Sequence, residues 1–133
     1  MAARTTSRVA IALFYATAGS LHLFVPEPFV SIVPSWVPEP ALTVLFTGLA
    51  EIAGAAGMVQ PWSGTLRILA GWGLAAYALC VWPANVQHML LDIARPDHGL
   101  GLVYHVPRLA LQPALMWWPL WSVGVISWPF RNC

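Results

Sequence analysis

Residues 41–59 form a run of 19 whose only polar side chains are Thr43, Thr47 and Glu51. As a helix, a run of about 20 apolar residues reaches across the hydrocarbon of a bilayer. Three further runs approach that length. Residues 9–25 stop at Pro26. Residues 66–82 meet Pro83, which bends or breaks the segment before a further turn through His88. Residues 109–128 carry Pro113 and Pro119 and end before Arg131. Lipid offers no partner for an open sheet edge, so each run can span only as a helix. The prolines fit as kinks where neighbouring helices cover the freed carbonyls. The expected fold is all-α: one domain over residues 1–133, a four-helix transmembrane bundle of 9–25, 41–59, 66–88 and 108–128.

Composition agrees. Apolar residues make up 59% of the 133 and charged residues 8%, against about 25% charged in an ordinary soluble domain. Mean hydropathy is +0.69. A net charge of +1 leaves no basic face for nucleic acid. Cys80 and Cys133 stand far apart and form neither a CxxC pair nor a disulfide framework.

Arg4, Arg8 and the small residues Ala16-Thr17-Ala18 imitate a secretory signal. The apolar run continues past Ala18 to Val25, which favours a retained helix. Arg4, Arg8, Arg67 and Arg131 flank one set of helix ends, whereas the 26–40 connection has Glu27 and Glu39 but no Lys or Arg. Arg95 stands in the third connection beside Asp92 and Asp97. By the positive-inside rule both termini are cytoplasmic, and the proline-rich 26–40 loop between the first two helices is extracytoplasmic. Trp36, Trp62, Trp82, Trp117, Trp118, Trp121 and Trp128 lie near segment ends, where interfacial anchors belong.

The few polar residues inside the runs group by helical spacing. Tyr15, Gly19 and His22 share a face of the first segment, and Thr47 aligns with Glu51 on the second. Gly48 and Gly54 flank Glu51 and let a neighbour approach. Asn85 and His88 end the third segment; His105, Arg108 and Gln112 share a face at the start of the fourth. Glu51 lies roughly 15 Å below the outer end of its helix at 1.5 Å per residue. An acidic group at bilayer depth costs about 2.5–3.5 kcal/mol on insertion scales. It therefore needs a shielded place, and Arg108 is its natural counter-charge. The 26–40 loop, with Trp36 at its tip, is long enough to cover the opening.

Plainer readings compete. Glu51 can be a neutralised structural acid bonded to Thr47 or a carbonyl, and His22 a satisfied interfacial histidine. Asn85 can cap the helix broken at Pro83, Arg108 can snorkel, and Gln112 can bridge helices. His88, His98 and His105 fall at a boundary or in a connection, where they would face solvent.

The order and spacing of several pieces resemble the DoxX-like small bacterial integral membrane proteins. The pieces are Gly19-Ser20-Leu21-His22 before Pro26 and Phe29; Ile32-Val33-Pro34-Ser35-Trp36-Val37-Pro38; Thr47-Gly48-Leu49-Ala50-Glu51-Ile52; Trp82-Pro83-Ala84-Asn85; and Arg108-Leu109-Ala110-Leu111-Gln112. The resemblance runs from about residue 18 to residue 118. It implies a four-helix fold in the bacterial inner membrane. It also implies a link to quinone-associated or thiol-redox partners, and places His22, Glu51, Asn85, Arg108 and Gln112 at matching positions.

Two functional classes follow. In the first, a lipophilic small molecule such as a quinone or isoprenoid enters between helices. Glu51 and His22 are the candidate acid–base pair and Arg108 an oxyanion stabiliser. Asn85, Gln112, Tyr15, Thr47, Trp36 and His88 are the candidate ligand-binding residues. Proton transfer, isomerisation, epoxide opening and quinone protonation all suit such a set. In the second, the chain is a non-enzymatic anchor or accessory subunit of a redox complex. A metal held by His22, Glu51 and His88 is a third reading, although no close His pair supports it. No spacing for haem or iron–sulfur ligation is present, which argues against electron transfer by a cofactor of the chain's own; a quinone is kept open as a cofactor. The expected partners are the bilayer, a hydrophobic small molecule and a redox protein, with a homo-oligomer open.

Overall fold

The computed structural model describes residues 2–128, and these form helices without strands. The helices are α1 (Ala2–Phe24), a single turn α2 (Glu27–Val30), α3 (Pro40–Val59), α4 (Gly64–Ala94), α5 (Gly101–Ala110) and α6 (Gln112–Ser122). Arg131 and Cys133 lie outside the described residues.

The closest approach is α1 against α3, and glycine permits it. A Cβ built on Gly19 would stand 2.6 Å from the Gly48 carbonyl oxygen, and one on Gly48 would stand 2.8 Å from the His22 Cβ. Side chains at both positions would hold the backbones apart. Below this crossing Ile11, Ala12 and Tyr15 of α1 pack with Ala55 and Met58 of α3 and Leu74 of α4 as the core. The α4 helix lies between α3 and α6, and α6 returns to α1. There Trp118 donates its indole N–H to the Ser7 hydroxyl at 2.6 Å, and Arg4 lies over the Trp121 ring.

The α3–α4 turn is short because its polar groups satisfy one another. The Gln60 amide accepts from the Ser63 N–H at 2.9 Å and donates to the Ser63 carbonyl at 2.6 Å. The Ser63 hydroxyl then accepts from the Leu66 N–H and caps α4. Charge is sorted by height. Arg8 feels Arg67 across the bundle, so Arg4, Arg8 and Arg67 gather at one end. Glu27, Glu39 and Asp97, before or between the long helices, and Asp92 in the last turn of α4 lie at the other.

Two helices, α3 with 20 residues and α4 with 31, are long and apolar enough to cross a membrane. The core helix of a soluble protein would pass the same test while mostly buried. Here only 28% and 22% of the apolar windows are buried, and large apolar side chains such as Leu13, Phe46, Leu69 and Leu90 face outward.

Four boundaries differ from the sequence expectation by more than two residues. The first segment begins at Ala2 rather than at residue 9. The third segment does not end at His88: α4 runs through Pro83 to Ala94. The fourth begins at Gly101 rather than Arg108, so the connection expected over 89–107 shrinks to 95–100. It also divides at Leu111, because Pro113 has no N–H for the Leu109 carbonyl and the chain kinks there. The last turn of α6 is Ser122, short of Trp128.

Candidate functional site

The Gly19–Gly48 crossing sets His22 beside Glu51. The His22 Nδ1 lies 2.8 Å from Glu51 Oε2 and 2.9 Å from the Ala18 carbonyl oxygen. A carbonyl can only accept, so Nδ1 carries the proton. That N–H aligns with Ala18, and Glu51 Oε2, buried, has no aligned hydrogen bond of its own. Glu51 is 3% exposed. A buried carboxylate oxygen with a proton-bearing imidazole alongside, yet with an acceptor site unfilled, is an unusual economy in a protein interior. Phe29, delivered by the 26–40 loop, covers the His22 ring with centroids 3.9 Å apart. Thr47 does not bond Glu51; its hydroxyl donates to the Val44 carbonyl.

The expected Glu51–Arg108 pair is absent. The Arg108 guanidinium donates to Asn85 Oδ1 at 2.7 Å and to His88 Nδ1 at 3.0 Å. Because guanidinium can only donate, these bonds fix the direction of everything behind them. The Asn85 oxygen faces Arg108, so its Nδ2 donates to Gln112 Oε1 at 3.2 Å. Gln112 in turn donates its amide to the Ala78 carbonyl of α4. Asn85 therefore does not serve as a cap; it joins α4 to the kink between α5 and α6. Helix packing explains the difference from expectation: the glycine crossing brings His22 to Glu51, and Arg108, on α5, is engaged by Asn85 and His88 of α4.

His88 faces away from Glu51 and stands with Asp92 and His105, which overturns the grouping of His22, Glu51 and His88 as one metal site. His88, Asp92 and His105 bring donor atoms within 4.8 Å of one another and are the residues that could hold a metal ion. Each of the three residues is nevertheless engaged, although His105 Nδ1 is buried without a partner. Asp92 Oδ2 takes the Leu100 N–H and His105 Nε2, both at 2.9 Å. His88 Nδ1 accepts from Arg108, so neutral His88 turns its Nε2–H toward Asp92 at 3.6 Å. The arrangement is a hydrogen-bonded clasp joining α4 to α5. Gly99, at φ 51°, presses its backbone against the Asp92 carboxylate where no side chain would fit. His105 is 0% exposed, contrary to a solvent-facing role.

A cavity of roughly 1440 Å³ connects the two polar groups. It is lined by His22 and Glu51 on one side and by Asn85, Arg108 and Gln112 on the other, with Tyr15, Thr47 and Trp36 among its walls; His88 is not. Most of the lining is apolar, and Phe29, Trp36 and Val37 bring the 26–40 loop over it. Exposed wall residues, among them Phe14, Val103 and Leu111, mean that it reaches the outer surface of the bundle.

Tyr77, Trp118 and Cys80 line the same cavity and were not among the site residues expected from the sequence. Tyr77 packs edge-on against Tyr15 at 6.0 Å and interacts with the Glu51 carboxylate. Steps of four back from Asn85 pass through Val81 to Tyr77, which is the periodic signal that would have found it.

No curated protein and no solved structure matches the chain. Residues 11–123, which include α3, α4 and every cavity residue named above, match the family model described as "Domain of unknown function (DUF8561)", and the chain belongs to that family.

Proposed function

We propose that this protein is a four-helix bacterial inner-membrane protein whose cavity binds a lipophilic small molecule, with Glu51 and His22 as its proton-handling pair. The carrying observation is the roughly 1440 Å³ apolar cavity that contains Glu51 with an unfilled acceptor oxygen. Ligand pockets commonly measure about 300–1,000 Å³, so the space suits a molecule with a long apolar part. A solid core with Glu51 closed off would have favoured the accessory-subunit reading; an open cavity weighs against it. The DoxX-like pieces fall inside the matched span, and a quinone or isoprenoid ring with its tail among Phe, Leu and Trp side chains remains the model ligand.

Chemically, Glu51 takes a proton from the bound molecule or gives one to it. His22 lies alongside the carboxylate at 2.8 Å with its Nδ1–H directed to the Ala18 carbonyl. Such a pair supports proton transfer to a quinone, isomerisation or epoxide opening.

The test is extraction of the purified protein and mass spectrometry of what is released, for wild type and Glu51→Gln. Wild type yields a stoichiometric hydrophobic molecule. Glu51→Gln keeps the side chain's shape and the fold but removes the charge-assisted contact, worth about 1.5–3 kcal/mol. Retention of the molecule should fall about tenfold or more. Full retention and full turnover in Glu51→Gln would remove the acid–base role.

A further inference from the structure

The two polar ends of the cavity differ in what they offer a ligand. At the Glu51 end the carboxyl group has an imidazole 2.8 Å away. At the other end Arg108 has no carboxylate within ion-pairing distance among the described residues. Its bonds go to the neutral Asn85 amide and to a histidine that must be neutral at Nδ1 to accept. Asp92 reaches Arg108 only through His88.

Hydrogen-bond direction sharpens the contrast. A guanidinium carries five N–H donors, and the protein uses one on Asn85 and one on His88. The Asn85 oxygen is taken by Arg108, and the Gln112 oxygen by Asn85. The wall at this end thus has donors to spare and its acceptors engaged. Arg108 is half-buried, lies 5.7 Å from the Tyr104 ring, and borders an apolar volume. In low-dielectric surroundings an uncompensated cation is costly, and a partly desolvated guanidinium fork is shaped for a carboxylate or phosphate.

We infer that the cavity's ligand is an anionic amphiphile, whose carboxylate or phosphate head sits on Arg108 while its apolar chain fills the cavity. The assignment rests on the lipophilic-site reading and narrows it from any hydrophobic molecule to an acidic one. Asn85, Gln112 and His88 are positioning residues: they aim the guanidinium and do not supply charge.

The experiment uses three probes of equal chain length, hexadecanol, palmitate and hexadecyl phosphate, at a pH where both acids are ionised. Binding to the full chain in nanodiscs is followed by the fluorescence of Trp36, Trp117 and Trp118, all in the cavity wall. In wild type at least one anion binds about tenfold or more tightly than the alcohol. The anion that binds tighter separates a fatty-acid source from a phosphorylated lipid. In Arg108→Gln the preference disappears while hexadecanol affinity holds, and Arg108→Lys keeps part of it. Equal binding of all three probes to wild type overturns the anionic assignment and spares the lipophilic site, even if Arg108→Gln fails to fold. A preference that survives in folded Arg108→Gln also overturns it. If none of the probes binds wild type, the lipophilic site itself falls.

Discussion

Asp92 shows how one carboxylate can organise a loop that its neighbours in sequence do not. It receives the Leu100 N–H and the buried His105 ring, and Gly99 closes over it. Asp92→Asn keeps the size but removes the charge that both donors use, at about 1–3 kcal/mol for a buried polar group left short of partners. The expected result is a lower melting temperature and faster hydrogen exchange at the Leu100 amide; an unchanged exchange rate there would show that the clasp is not what orders residues 95–100. This clasp was hidden in the sequence because hydropathy falls after His88, so Asp92 and His105 read as solvated loop residues. Glu51 was legible for the opposite reason: one acid in 19 otherwise nearly apolar residues has few physical explanations. His22 was named with it as an acid–base pair, but the contact between them was not legible in charge. Charge alone points to Arg108, and only the Gly19–Gly48 approach makes His22 the neighbour.

At the scale of elements, run length and proline position located the four rods, since an apolar stretch and its stops are local properties. Kinks were less legible, because whether a proline ends a helix depends on what accepts or donates around it. Pro83 sits inside a continuous α4, with Gln112 bonded one turn away to the Ala78 carbonyl. The α3–α4 turn carries the orientation. Arg67 beside it and Arg4 and Arg8 near it place this end on the cytoplasmic side in our proposal. Cysteine introduced as Ser63→Cys, in a chain with Cys80 and Cys133 replaced by serine, should react with a membrane-impermeant maleimide only after the cytoplasmic face is opened. Labelling from the outside of intact cells would invert the proposed topology.

For the molecule as a whole, if the cavity holds a lipophilic ligand as proposed, its exposed walls at Phe14, Val103 and Leu111 determine which phase that ligand is counted in. A side opening facing acyl chains samples molecules already dissolved in the bilayer, so occupancy follows their mole fraction in lipid rather than their molarity in buffer. At fixed total ligand, doubling the lipid in a proteoliposome titration should therefore raise the apparent dissociation constant about twofold for a strongly partitioning probe. A constant that ignores lipid content would mean that the bound molecule does not partition into the bilayer. The membrane, on this view, is the protein's reservoir as well as its solvent, and its enrichment of a scarce amphiphile lets a site of modest intrinsic affinity stay filled.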